Sequence, residues 1–278
     1  MILNEIITFR VFGLKTSPSL GIMKMASYLF CYTTTVIYDT LIKRKCRMNN
    51  SSSVYGEKLL QDNYQPFCLQ LFRLQQKIPV PGLLPSQINS IFKEILLEHP
   101  EFFWFDGKWS LLEEGATPFA YPLYLFPSWT AHSLLSEINS IADQLVKSAE
   151  GAQCNSYDTA KYFYDWLLKN VDYGMGRLAG QTIYDVFVER KAVCKGLSKA
   201  FQFLLQKAGI PVGLAEGTID ERAKHIWNTV EINSARFNVD VSMGYGCFSF
   251  LFHGNDQNDP YRCFMVSDEQ LSLTHRQF

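Results

Sequence analysis

The 278-residue chain lacks any Cys-x-x-Cys pair, any long run of one charge, and any EF-hand-like loop. Each absence removes a class of function. With lysines and arginines (26) nearly balanced by acids (27) and a formal net charge of -1, the sequence has no electrostatic footprint for nucleic acid, so none is expected as a partner. Seven cysteines (Cys31, Cys46, Cys68, Cys154, Cys194, Cys247, Cys263) are an odd, scattered set, which argues against a disulfide framework and for a reducing, cytoplasmic setting. The spacing Cys247-x5-His253-x9-Cys263 is too open for a structural zinc site, so no metal or other cofactor is expected.

A clean membrane span is missing too. Residues 21–42 are apolar but broken by Lys24 and Asp39 and followed by Lys43-Arg44-Lys45, whereas a spanning helix needs about 20 mostly uncharged residues. A signal peptide would carry its positive charge ahead of the apolar run. Membrane association is therefore not expected, with a weak N-terminal anchor or export as the alternative. Met48, ahead of Asn49-Asn50-Ser51-Ser52-Ser53, reads as an alternative start that makes 1–47 dispensable, and 1–48 reads as a leader or weak anchor outside the fold.

What is present is a foldable chain, 47% hydrophobic. Helical spacing covers 57–78, with Pro66 starting or interrupting it; Ser86 caps a helix through Leu97, and 131–146 forms an amphipathic helix. Phe102-Phe103-Trp104-Phe105 and Lys108-Trp109-Ser110-Leu111 flank Asp106-Gly107, a two-residue hairpin signal, and 119–126 reads as a further strand. His99 and His132 lack an acidic or thiol neighbour at a catalytically useful spacing and read as structural. The loosest stretch, 147–156, divides a helix-rich region with a small hairpin (49–150) from a catalytic core (151–278). That core opens with a helix through Asn170 and a short one over 182–188.

The chemistry concentrates between Val193 and Asp240. Leu197, Ala200, Phe201, Leu204, Leu205 and Ala208 recur at helical spacing, ended by Gly209 and Pro211. Cys194 thus falls in the first turn, where free backbone N–H groups and the helix dipole favour a thiolate. Its own N–H can face an oxyanion. Residues 224–232 and 235–242 alternate as two strands joined by Asn233-Ser234. A two-residue turn sets Ile232 opposite Ala235, which places Trp227 opposite Asp240 and makes His225 and Asp240 diagonal neighbours on one face. A slip of one residue would separate them. Thiol, imidazole and carboxylate then suit a nucleophile, its base and the orienter of that base. Gln181 is a candidate second oxyanion donor, and Trp227 either walls the site or packs.

Three blocks carry a family resemblance: Ala192-Val193-Cys194-Lys195-Gly196 with its helix to Gly209-Ile210-Pro211, then His225-Ile226-Trp227-Asn228, then Phe237-Asn238-Val239-Asp240-Val241-Ser242. In order and spacing this resembles the transglutaminase-like superfamily, best its microbial branch, over about residues 150–278. The resemblance implies an α+β, papain-like core with the cysteine helix packed on an antiparallel sheet and a triad of Cys194, His225 and Asp240. It also implies acyl chemistry on amides of a peptide or protein through a thioester. Hydrolysis is favoured over amine transfer, since 278 residues leave no room for the β-sandwich domains of the calcium-activated cross-linking enzymes. A non-catalytic binding module is the alternative. Two departures stand out: Met243-Gly244 where Trp-Asp is usual, and Arg190 where glycine commonly precedes the cysteine block.

Overall fold

The computed structural model describes residues 56–219, 223–251 and 258–278. The leader, the weak anchor and the start at Met48 lie outside them. The described elements belong to the unit Lys58–Phe278, apart from the first two residues of the opening helix.

Helix α1 (Gly56–Phe72) runs through Pro66 rather than breaking there. Pro66 is exposed, so the helix carbonyl that its missing N–H leaves without a partner faces water. The helix ends before the prolines at 79 and 81, where Leu74 takes a left-handed φ of 48°. After β1 (Ile78–Pro79), α2 (Pro85–Glu98) starts two residues earlier than a Ser86 cap predicts, with Leu84 at the cap. Pro85 suits its first position, and the Gln87 side chain accepts the Leu84 N–H at 2.8 Å.

Strands β2 (Phe105–Glu114) and β3 (Thr117–Tyr124) complete an antiparallel sheet of order β1-β3-β2. Here the structure corrects the sequence reading. Asp106-Gly107 lies in an irregularity of β2, between the pairs Phe105↔Tyr124 and Trp109↔Pro122, while the hairpin turns at Gly115-Ala116, with Glu114 facing Thr117. The reason is burial: Phe102, Phe103, Trp104 and Phe105 are all in the core, which a strand of an open two-stranded hairpin cannot achieve. The Trp104 indole N–H also donates to the Leu71 carbonyl at 3.1 Å, tying this segment to α1.

Helix α3 (Ser128–Gly151) is longer than its predicted 131–146, because Leu145 and Ala149 extend its buried stripe through the stretch read as a loop. His132 Nε2 meets the Phe72 carbonyl at 2.9 Å, and His99 Nδ1 meets Glu101 at 2.8 Å; both histidines serve packing. Helix α4 (Ser156–Asn170) is capped by Asn155, whose side chain accepts from Asp158 N–H at 2.9 Å.

The next segment builds a platform. Strand β4 (Asp172–Tyr173) pairs in parallel with β5 (Lys191–Ala192), and between them α5 (Ile183–Phe187) starts with a Thr182–Asp185 capping box. Helix α6 (Cys194–Lys207) follows, and its apolar stripe, including Leu197, Phe201 and Leu204, is fully buried. Cutting Phe201 to alanine would cost about 3–5 kcal/mol. The helix packs on an antiparallel sheet of β6 (Val212–Ile219), β7 (Ala223–Ile232), β8 (Ala235–Val239) and β9 (His275–Gln277), ordered β8-β7-β6-β9. A short helix α7 (Asp268–Leu271) precedes β9. The architecture is α+β, with a helix-rich N-terminal region and the cysteine helix on an antiparallel sheet.

Candidate active site

Cys194 is the first residue of α6, half-buried, with Val193 as its extended N-cap. Two contacts fix this start. The Val193 N–H donates to the Gly180 carbonyl at 3.0 Å, and Gly196 lets that carbonyl lie against the first turn, where any Cβ would collide with it. Arg190, the departure ahead of the cysteine block, takes φ 57°. Glycine adopts that left-handed region without strain, so Arg190 keeps the same backbone turn at a steric cost. Its guanidinium lies 4.8 Å from the Trp166 ring centroid, a cation–π contact that offsets part of that cost.

The hairpin has the register that its two-residue turn predicts. Ile232 faces Ala235 and Asn228 faces Val239, and Asn233 and Ser234 take φ 52° and 63°. The ladder ends one step before Asp240, however, so β8 is shorter than the predicted 235–242. Asp240 instead caps a 3-10 turn (Val241–Gly244): its Oδ1 accepts the Ser242 N–H at 2.9 Å and the Ser242 hydroxyl at 2.7 Å. A side chain that satisfies the next turn competes with strand pairing.

Asp240 is buried, and its Oδ2 meets Nε2 of His225 at 2.5 Å. The same oxygen meets Nε2 of His275 at 3.0 Å. Burial alone would raise the Asp240 pKa, but the charge and hydrogen bond of His225, joined by His275, hold it well below the usual carboxylate range. For His225, burial opposes the charged ring; Asp240 outweighs it, with Cys194 adding, and the pKa rises to about 10. Since Nε2 of His225 is engaged by Asp240, Nδ1 is the ring nitrogen left for the thiol.

Two contributors were missed by sequence reasoning. His275 reaches the site from β9, where Ile219 pairs with it; its Nδ1 meets the Thr274 hydroxyl at 2.8 Å. No local pattern marks it, because only a long-range strand pairing brings it to Asp240. Tyr173 arrives through β4, and its hydroxyl accepts the Cys194 backbone N–H. Burial, then Cys194 and Asp240, push this phenol above its usual range, so it stays protonated and able to donate.

The remaining candidates are placed as follows. Trp227 is buried in a cluster with Met243, Cys263 and Leu271, its ring 6.4 Å from His225 and 5.0 Å from His275. Gln181 is exposed, since Thr182 takes the cap of α5, and it borders a cavity beside Lys195. Ligand atoms of His225, Asp240 and His275 lie within 4.8 Å of one another, a spacing a metal ion could bridge, although hydrogen bonds to one carboxylate already account for it. Of the Cys247, His253, Cys263 set, Cys247 is exposed, Cys263 is buried, and His253 lies outside the described residues. Among the described residues no helix is long and apolar enough to cross a membrane.

Comparison with known proteins gives a partial match. Residues 140–241 fit the family model of the transglutaminase-like superfamily. Similar solved structures include a TGase at 17% identity and TM-score 0.34, covering 60% of this chain and 50% of that one. A protein from Cytophaga hutchinsonii, provisionally assigned as a cysteine protease, aligns at 16% identity and TM-score 0.32 over 49% of this chain and 61% of its own. One from Parabacteroides distasonis ATCC 8503, provisionally assigned as a protease, aligns at 11% identity and TM-score 0.30, covering 49% of this chain and 39% of that one. The chain thus spans between 39% and 61% of the length of these proteins. No curated protein sequence matches it. The segment 140–241, which holds Cys194, His225 and Asp240, is the part of the chain that is similar to the transglutaminase-like superfamily.

Proposed function

We propose that the chain is a cysteine-dependent acyl-group enzyme that opens amide bonds of a peptide or protein through a thioester. The observation that carries this reading is the buried His225–Asp240 bond at 2.5 Å, beside a cysteine at a helix N-terminus that acts on the same imidazole. His225 takes the Cys194 proton through Nδ1, and the thiolate sulfur attacks the amide carbonyl carbon. The oxyanion accepts from the Tyr173 hydroxyl, which the Cys194 N–H supports from behind. The C–N bond then breaks, and the proton held by His225 leaves with the amine.

The thioester is resolved by a second nucleophile. Water gives up a proton to His225 and adds to the carbonyl, releasing acid and thiolate; a primary amine gives a new amide instead. Hydrolysis is the favoured outcome and amine transfer its competitor.

Intact-mass profiling with peptide mixtures and a labelled amine, comparing the wild type with Cys194→Ala, tests this. Products that require Cys194 support the reading, and their masses separate water from amine as acceptor. Identical profiles for the two proteins would favour a binding module.

A further inference from the structure

One cavity of about 710 Å³ lies beside the thiol-bearing helix, between that helix and the N-terminal region. Its size is that of ligand pockets, which span about 300–1,000 Å³. Leu96, Leu97, Leu125 and Leu178 supply part-exposed apolar lining over buried phenylalanines, and Lys93, Lys108, Arg177, Lys195 and Lys199 bring five basic side chains. Among the described residues two carboxylates line it, and both are committed. Glu216 pairs with Lys93 at 3.4 Å, and Asp106 with Lys108 at 2.7 Å.

Arg177, Lys195 and Lys199 form no ion pair among the described residues. Arg177 reaches the phenol of Tyr184, which itself donates to the Glu189 carboxylate at 2.5 Å. Lys195 and Lys199 stand four residues apart on α6, and both line the cavity, so they repel across one helix face. Lys199 is half-buried. Burial and then Lys195 push its pKa down to about 7, with Glu101 opposing; Glu101 is itself bonded to His99. Among the described residues, Arg177, Lys195 and Lys199 thus stand at the cleft with no carboxylate within ion-pair distance. A ligand carrying carboxylates would supply their counter-charge.

We propose that this cleft binds an acidic peptide segment, its carboxylates on Arg177, Lys195 and Lys199 and its apolar side chains on the leucines of the floor. The part-exposed Leu96, Leu97, Leu125 and Leu178 favour a peptide over a small inorganic anion, which would satisfy the cations and leave those leucines uncovered. Lys195 follows Cys194 directly, and Gln181 borders the same cavity. If the reading of Cys194 as nucleophile holds, the segment is part of the acyl donor, and the substrate class is amides flanked by glutamate or aspartate.

Binding can be measured without catalysis. The full-length Cys194→Ala chain is titrated against fluorescein-labelled Glu-Phe-Glu-Phe-Glu-Phe and its Gln-Phe counterpart, read by anisotropy at neutral pH and low salt. The acidic peptide is expected to bind at least about tenfold more tightly than the neutral one, the scale of a hydrogen bond to a charged group. Lys195→Gln/Lys199→Gln should lose about that factor, and Arg177→Gln, on another element, should lose affinity independently. Lys147→Gln, an exposed lysine elsewhere, should not. Melting curves confirm that each variant is folded. Equal affinity for the two peptides, retained affinity in both cleft variants, or full displacement by equimolar inorganic phosphate would overturn the proposal. Slow alkylation of Cys194 in the wild type would instead sink the nucleophile reading and leave this binding result standing.

Discussion

His275 shares one carboxylate oxygen with His225: their Nε2 atoms lie 3.0 and 2.5 Å from Oδ2 of Asp240. Together with two bonds from Ser242 to Oδ1, every acceptor direction of this buried carboxylate is occupied. Asp240 is therefore held in one orientation, aimed at His225.

His275→Ala should release that hold. Losing a hydrogen bond to a charged group costs about 1.5–3 kcal/mol, so turnover should fall by about ten- to a hundredfold. His275→Gln, which keeps a donor, should recover part of the loss. Rates and melting curves for both variants check this; equal rates at matched stability would reduce His275 to a packing residue.

Tyr173→Phe separates two steps. Removing the hydroxyl beside the Cys194 N–H should lower turnover by about a hundred- to a thousandfold, the scale of losing an oxyanion donor. Iodoacetamide forms no oxyanion, so its reaction with Cys194 should keep its rate. A parallel drop in both would place Tyr173 in setting thiol reactivity.

The pKa directions give a stability profile. His225 holds its proton to about 10 in the fold against an ordinary 6.5, so its contribution is complete below about pH 6.5 and is lost as pH climbs toward 10. Asp240, lowered from 3.8, contributes above that value and loses it as pH falls through its folded pKa. The stability gap between the wild type and His225→Gln should thus be widest between about pH 4 and 6.5, at about 3–5 kcal/mol, and narrow above. Urea melts across that range measure it; a gap widening toward alkaline pH would contradict the assignment.

Gly217→Ala probes how β9 is seated. A Cβ there would run into the Arg276 carbonyl and the Trp227 ring. The forced shift should cost about 1–3 kcal/mol and disturb His275 next to it. Denaturation and activity should fall together, whereas Gly246→Ala, with open space around its Cβ, serves as the neutral control.

Much of the core was legible because its signals are local. A regular apolar stripe ended by Gly209, at φ 73°, specifies α6 and hence the place of Cys194. A two-residue turn and strict alternation specify the hairpin register. Asp106-Gly107 misled for the opposite reason: a local turn signal yielded to the burial of four consecutive aromatics, which only tertiary contacts with α1, α2 and α3 explain. His275 and Tyr173 were invisible because each enters through a short strand whose partner is distant in sequence.

The central claim is that Cys194 is a nucleophile activated by His225 and Asp240. Its most direct test is the rate at which iodoacetamide modifies Cys194 at neutral pH, read by mass spectrometry against the exposed Cys247 in the same protein. The account predicts that Cys194 reacts faster than Cys247 in the wild type and loses that advantage in His225→Ala. Equal rates at the two cysteines, or an advantage that survives His225→Ala, would contradict it.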